Sequence, residues 1–166
     1  MSVHDVRLAA VLFCDVVGST AELVRLGDAR ADERRTRFDA LLSDVVDEAG
    51  GRIVKGLGDG AMAAFDAPSA AISAAVALQQ RARRQSQDEA GAWRDLKVGI
   101  SMGEVTTGAD GDLFGTAVVE AARLCAAAAG GQVLVGAMSA QLARRGGARL
   151  EAVAPVSAKG FPEPIE

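Results

Sequence analysis

Hydrophobic and polar residues form two kinds of pattern along this chain, one typical of strands and one typical of helices, and the two kinds follow each other in sequence. Short apolar runs bounded by turn residues predict strands at 8–16, 52–54, 61–65, 96–102, 105–107 and 132–135. Longer helical patterns with cap and stop signals predict helices at 19–49, 66–87, 116–129 and 139–145. The order β-α-β-β-α-β with additional C-terminal elements predicts an α+β, ferredoxin-like sheet with helices on one face. No linker or repeat interrupts this order, so we predict a single domain over residues 1–166.

Glycine and proline set several of the predicted boundaries. The first helix should break near Gly27, and Gly50 and its neighbouring glycine should end it. Pro68 suits the first turn of the second helix because an amide hydrogen there would have no helical partner. We expect 105–107 to be the hairpin partner of the strand 96–102.

The composition is that of a globular domain without a nucleic-acid partner. The chain has 166 residues, of which 49% are hydrophobic, enough for one sizeable core. Its net charge is −4 and no long basic run occurs, which argues against nucleic acid. The short basic stretch 81–84 is typical of a solvated helix end.

Cysteine usage and hydropathy predict a cytoplasmic protein. No apolar stretch is long enough to span a bilayer, and residues 1–5 lack the pattern of a signal peptide, so we expect no membrane segment. Cys14 and Cys125 are too few, and too unlike a CxxC pair, for a zinc site or a disulfide framework. We expect both to be small core residues.

Two carboxylates stand at predicted strand ends. Asp15 closes the apolar run 8–16, and Asp59 lies in the hairpin tip Gly58-Asp59-Gly60. Carboxylates on adjacent strands would suit a hard divalent cation such as Mg²⁺, which prefers oxygen ligands and keeps waters for substrate phosphates. The alternative is a turn-forming Asp after a strand and an ordinary Gly-Asp-Gly hairpin tip.

The segment after Asp15 favours the metal-binding interpretation. Gly18-Ser19-Thr20 starts a predicted helix, where glycine allows close approach of a ligand and exposed backbone amides favour phosphate. Carboxylates, a metal and phosphate-binding amides would then lie within one turn of each other. This combination points to nucleotide chemistry.

Four segments carry a resemblance to a known family. In chain order they are Phe13 to Thr20, Lys55 to Gly60, Asp112 to Leu124 and Lys159 to Pro164. The ordered set resembles the catalytic domain of class III nucleotidyl cyclases, in particular bacterial and actinobacterial members. The resemblance implies a head-to-tail homodimer with composite active sites at its interface.

The resemblance also implies a metal-binding role for three residues. Asp15, Asp59 and the backbone carbonyl of Val16 match the ligands of two ions, Mg²⁺ or Mn²⁺, at each site. In such a site one ion lowers the pKa of the ribose 3′-hydroxyl and the other supports the triphosphate while pyrophosphate leaves.

Four further residues match the family's nucleotide contacts. Lys55 and Asp112 match a base-reading pair that complements adenine and favours ATP over GTP. Arg123 matches an arginine that stabilises charge at the reacting α-phosphoryl group, and Lys159 matches a lysine that holds the terminal phosphates. Without the resemblance, these residues would be interpreted as an exposed strand lysine, a turn aspartate, a helix-surface arginine and a solvated loop lysine.

Two positions depart from the family's pattern. Val119 stands where the family usually has an asparagine that orients the ribose, and valine cannot hydrogen-bond. Glu104 stands where some relatives have a phosphate-binding arginine. We therefore predict an adenylyl cyclase making 3′,5′-cyclic AMP, with two alternatives: a weakly active or inactive ATP-binding regulatory module, or another two-carboxylate nucleotidyl-transfer enzyme that releases a linear product.

Overall fold

The strands and helices follow the predicted order. The computed structural model describes residues 5–18, 21, 24–25, 27–88 and 96–166. The strands are β1 (Val6–Val16), β2 (Arg52–Gly56), β3 (Gly60–Phe65), β4 (Leu96–Thr107), β5 (Leu113–Phe114) and β6 (Val133–Val135). The helices are α1 (Asp28–Glu48), α2 (Pro68–Asp88), α3 (Thr116–Ala127) and α4 (Ala137–Arg145). The βαββαβ core therefore ends at β4, and the elements after it are the C-terminal additions.

The strands form one sheet in the order β2-β3-β1-β4-β5, with antiparallel neighbours throughout. β6 lies parallel to the first half of β4, where Val98 pairs with Val133. The order β2-β3-β1-β4 is the strand order of a ferredoxin-like sheet, so the predicted α+β class is confirmed. β1 and β4, in the middle, pair over the whole length of β1.

α1 and α2 cover one face of this sheet, as predicted for the helices of the core. Their apolar residues recur three and four positions apart, which turns one stripe of each helix toward the strands. The buried residues of this face come from β1, β3, β4 and both helices: Ala10, Leu12, Cys14, Phe38, Leu41, Leu42, Val45, Val46, Ala61, Ala63, Phe65, Ala71, Ala74, Ala75, Leu78, Ala82, Leu96, Val98 and Ile100.

α3, one of the additions, packs on the opposite face. Its Ala117 and Ala121 belong to a second buried cluster, with Val11 of β1 and Met62 of β3. The close approach depends on Gly99 of β4, where a Cβ atom would lie 2.2 Å from the backbone nitrogen of Cys125 and 2.3 Å from the carbonyl oxygen of Ala121. A glycine in the middle of a strand thus makes room for the backbone of a helix.

One predicted hairpin is wrong. The segments 96–102 and 105–107 are not hairpin partners but parts of the continuous strand β4, and the partner of its C-terminal end is β5. Gly103 between them does not form a turn, since it pairs with Ala9 of β1. Its missing side chain leaves space for Ala117, whose Cβ would be 3.1 Å from a Cβ at this position.

The start of the first predicted helix lies partly outside the described residues. α1 begins at Asp28, directly after Gly27 at φ 78°, which is where the sequence predicts a break. Among the helices that the structure describes, none has the length and apolar character needed to cross a membrane.

Candidate functional site

The register of β1 and β3 brings Asp15 and Asp59 together. Asp15 pairs with Gly60, the residue after Asp59, and the amide of Val16 donates to the carbonyl oxygen of Asp59 at 3.1 Å. Gly58 turns the β2–β3 hairpin at φ 78°. A Cβ at Gly60 would lie 2.1 Å from the carbonyl oxygen of Cys14, so the backbone can pass β1 at this point only because no side chain is present.

The negative charges of Asp15 and Asp59 repel each other. The pKa of Asp15 is raised, first because partial burial penalises the charged carboxylate and also because the negative charge of Asp59 is near. The backbone amide of Val16 and the cation of Lys97 act in the other direction. A bound divalent cation would remove the repulsion between the two carboxylates.

The donor set fits a hard divalent cation. It has two side-chain ligands, since the described part of the chain contains no group of three or more His, Cys, Asp or Glu side chains that could hold a metal. Two carboxylates and the nearby Val16 carbonyl give oxygen ligands only and leave positions for water or substrate oxygens, as Mg²⁺ and Mn²⁺ sites in nucleotide enzymes require.

Lys55 and Asp112 form an ion pair, although 57 positions separate them in sequence. The Nζ atom of Lys55 on β2 lies 2.5 Å from Oδ2 of Asp112, just before β5. The Asp112 side chain is also held locally, because its Oδ1 accepts from the amide of Leu113 at 2.8 Å. The hydrogen bond from Lys55 is the main reason why the pKa of Asp112 is lowered.

Arg123 and Val119 both lie on the exposed side of α3. Val119 is 46% exposed, so it lies on the side of the helix that faces away from the sheet. Arg123 is exposed and makes no ion pair with any residue that the structure describes. Its guanidinium group is therefore available to an anionic ligand.

The predicted phosphate-binding residues are less completely described. Gly18 forms an exposed turn at φ 75° directly after β1. Ser19 and Thr20 lie outside the described residues. Lys159 is exposed in the C-terminal segment, in the loop that the bridge between Val156 and Ile165 closes.

The pattern of the sequence did not point to Lys97 or to the pairing of Ser101 with Glu120. Lys97 pairs with Asp15 across β1 and β4, so its charge acts on the candidate metal site. The Ser101 hydroxyl donates to Oε1 of Glu120 at 3.0 Å, which connects β4 to α3. Polar residues inside an apolar strand pattern were the available signal, but only the tertiary structure identifies their partners.

The cysteines are core residues, as predicted. Cys14 and Cys125 are both buried and carry free thiols. Burial raises the pKa of Cys14 to about 12 and that of Cys125 to about 11. Such thiols are protonated and inert near neutral pH.

Comparison with known proteins identifies relatives over the whole chain. The profile of the adenylate and guanylate cyclase catalytic domain family matches residues 2–166. An uncharacterized protein from Mycobacterium tuberculosis is 35% identical over 153 residues, which cover 92% of this chain and 38% of that protein. An adenylate cyclase from Streptomyces coelicolor is 39% identical over 130 residues, 78% of this chain and 32% of that protein.

A solved structure agrees with these sequence relatives. The crystal structure of an adenylate/guanylate cyclase/hydrolase from Silicibacter pomeroyi is 30% identical, with a TM-score of 0.84 over 97% of this chain and 94% of that one. By contrast, the chain spans less than two fifths of the length of either sequence relative.

Proposed function

Because this chain belongs to the class III adenylyl and guanylyl cyclase family, we propose that it is an adenylyl cyclase, which converts ATP to 3′,5′-cyclic AMP and pyrophosphate. The observation that carries the proposal is the juxtaposition of Asp15 and Asp59 through the pairing of Asp15 with Gly60. Two strand-end carboxylates provide the oxygen ligands that metal-assisted phosphoryl transfer requires.

Asp15, Asp59 and the Val16 carbonyl would hold two divalent ions, Mg²⁺ or Mn²⁺. When bound, such ions supply activation of the ribose 3′-hydroxyl and neutralisation of the triphosphate. The chain's own part is to hold the two carboxylates close together through the pairing of β1 with β3. The Val16 amide and Lys97 favour the ionised form of Asp15, against the effects of burial and of Asp59.

The Lys55–Asp112 pair supports ATP as the substrate. An ammonium group can donate to N1 of adenine, and a carboxylate can accept from its N6 amino group. Guanine presents the reverse pattern and would leave polar groups unpaired. The ion pair keeps both side chains at one place before a nucleotide arrives.

Arg123 would act at the reacting centre. In the proposed reaction the ribose 3′-hydroxyl loses its proton to solvent and its oxygen forms a bond to the α-phosphorus. The bond from that phosphorus to the bridging oxygen breaks, and the electron pair leaves with pyrophosphate. A guanidinium group stabilises the negative charge that develops on the α-phosphoryl oxygens. Lys159, Gly18, Ser19 and Thr20 would hold the β- and γ-phosphates.

We further propose that each active site is shared between two protomers of a head-to-tail homodimer. One protomer would contribute Asp15 and Asp59, and its partner would contribute Lys55, Asp112 and Arg123. A closed two-fold arrangement then gives two equivalent sites. Arg123 is exposed on α3 and makes no ion pair within the described part of its own protomer, which supports its engagement with groups outside that protomer.

Product analysis tests this function. The purified protein is incubated with ATP or GTP and Mn²⁺ or Mg²⁺, and the nucleotide products are identified by mass. We expect cyclic AMP from ATP and much less cyclic GMP from GTP. The Asp59→Asn variant should lose this activity, whereas Asp66→Asn, at the other end of β3, is a matched control because Asp66 is exposed and lies in a separate ion pair with Arg7.

A second candidate, an ATP-binding regulatory module with little or no turnover, is favoured by one observation. Val119 exposes an apolar side chain on α3 at a position where the family orients the ribose. Binding of ATP without any cyclic product would select this candidate. A linear nucleotide product would instead indicate another two-carboxylate transferase.

A further inference from the structure

We propose that the hydroxyl group of Thr116 binds the ribose of the nucleotide, an inference that rests on the proposed nucleotide site. Thr116 is the first residue of α3 and is exposed. Its hydroxyl makes no hydrogen bond to any residue that the structure describes. It is therefore a polar group available for a ligand.

Helix geometry places Thr116 on the same side of α3 as Arg123. With 3.6 residues per turn, Thr116, Val119 and Arg123 lie within an arc of about 60° around the helix. All three are exposed, whereas Ala117 and Ala121 turn toward the sheet. A nucleotide that reaches Arg123 along this open side of α3 therefore passes Thr116.

The order of these groups follows the order of the parts of a nucleotide. Asp112, the proposed base contact, precedes Thr116 by four residues, and Arg123, the proposed α-phosphoryl contact, lies about 10 Å further along the helix axis. The ribose connects the base to the α-phosphate, so its contact should lie between these two residues. Val119 also lies in this interval, but its side chain cannot hydrogen-bond.

Glu120 is the other polar side chain in this interval, and it is engaged elsewhere. Its Oε1 accepts from Ser101, which is only 2% exposed, at 3.0 Å. The same oxygen faces Gly136, where a Cβ would approach it to 2.3 Å. The carboxylate is thus directed toward β4 and the start of α4, and not toward the open side of α3.

The start of α3 is held firmly against β4. Gly115 precedes Thr116 at φ 143°, and a Cβ there would lie 2.6 Å from the carbonyl oxygen of Glu104. The amide of Val118 donates back to the carbonyl oxygen of Gly115 at 3.1 Å. This packing fixes the backbone of Thr116 and the direction of its Cα–Cβ bond, from which the hydroxyl can reach a ligand.

Binding measurements with two ligands test the role of Thr116. The probes are α,β-methylene-ATP, which keeps the ribose but cannot release pyrophosphate, and inorganic triphosphate, both with Mn²⁺. Thr116→Val should weaken binding of the nucleotide about three- to tenfold, the range expected for a lost neutral hydrogen bond. Thr116→Ser keeps the hydroxyl and should stay within about twofold of the original protein, and triphosphate should bind equally to all three.

Two controls separate this role from effects on folding. Thr36→Val makes the same change at an exposed position of α1, where the hydroxyl donates to the backbone of the same helix. Glu120→Gln keeps an oxygen that can accept from Ser101. Both should bind α,β-methylene-ATP within about twofold of the original protein.

The outcomes distinguish this inference from the proposed function. Nucleotide binding by Thr116→Val within twofold of the original protein would overturn the role of Thr116, even if cyclic AMP is formed. An equal loss of triphosphate binding, or no nucleotide binding by the original protein, would overturn it as well. If Thr116→Val selectively loses nucleotide binding and the original protein makes no cyclic AMP, the role of Thr116 in ribose binding would be supported. Only the proposed adenylyl cyclase activity would be overturned.

Discussion

Lys55 and Asp112 meet across the molecule, with Nζ of the lysine 2.5 Å from Oδ2 of the aspartate. Lys55 lies on β2, at one edge of the sheet, and Asp112 lies in the loop between β4 and β5. Their contact assembles a paired donor and acceptor in which each side chain stabilises the charge of the other. The proposed choice of ATP depends on this pair.

Replacement of both residues of the Lys55–Asp112 pair should change which base the protein prefers. In a Lys55→Glu, Asp112→Gly protein, the new carboxylate can accept from N1–H of guanine, and no carboxylate remains to repel its O6. We expect ATP turnover to fall at least about tenfold, with a smaller gain for GTP, because a deleted contact costs more than a new one regains. Initial rates with both nucleotides measure the ratio, and an unchanged preference for ATP would show that other residues read the base.

Removal of the charge of Asp15 should separate activity from stability. Asp15→Asn should lower turnover at least roughly 100-fold, since loss even of groups that only support metal ligands costs 10–100-fold. Because the pKa of Asp15 is raised in the folded protein, its ionised form costs stability at neutral pH. The metal-free variant should therefore be at least as stable as the original protein at pH 7.5.

This stability difference has a defined pH dependence. It should shrink as the pH falls through the raised pKa of Asp15 toward the unfolded value of about 3.9, because the carboxylate becomes protonated and neutral. Urea unfolding in a metal chelator at pH 7.5 and pH 4 measures it. A difference that grows on acidification would contradict the assigned direction of the pKa shift.

Gly99 should be essential for the packing of α3. Gly99→Ala would place a Cβ 2.2 Å from the backbone nitrogen of Cys125, and the backbone of α3 can relieve this contact only by moving. We expect a loss of about 1–3 kcal/mol in the free energy of unfolding and reduced turnover, because the shift also displaces Arg123. Gly56→Ala, with no atom within 4 Å of the new Cβ, is the control in urea unfolding.

An amide at position 119 should improve turnover. Val119→Asn gives α3 a hydrogen-bonding group on its exposed side, and we expect kcat to rise several-fold with a smaller change in KM, since the amide would orient the ribose mainly as the transition state forms. Val119→Ala controls for loss of the valine alone. Steady-state rates with ATP make the comparison, and a kcat no higher than that of the original protein would mean that other groups already position the ribose.

Mixed dimers should recover activity that neither parent has. Asp15→Ala and Arg123→Ala proteins should each be inactive, but a heterodimer concentrates both defects in one site and leaves the other intact. With free exchange, half of the dimers are heterodimers with one good site each, so the expected ceiling is about a quarter of the original activity. Absence of recovery, where exchange is demonstrated independently by labelled subunits, would exclude sites shared between protomers.

Local patterns determined most of the fold of this protein. Apolar periodicity and Gly or Pro stops predicted the βαββαβ core, the hairpin at Asp59 and the break at Gly27, because these features depend on neighbours in sequence. The hairpin predicted between 96–102 and 105–107 was wrong for the same reason. Gly103 has the local pattern of a turn, but its role is to admit Ala117 of α3 from the other face of the sheet.

The candidate site was predicted only in part. Asp15, Asp59, Lys55, Asp112 and Arg123 could be selected by motif, but the sequence by itself could not decide their contacts or roles. Three of these contacts are long-range: the Lys55–Asp112 ion pair, the cross-strand pairing of Lys97 with Asp15, and the hydrogen bond from Ser101 to Glu120. Strand order and register decide them, because side chains far apart in sequence meet only after the sheet has formed.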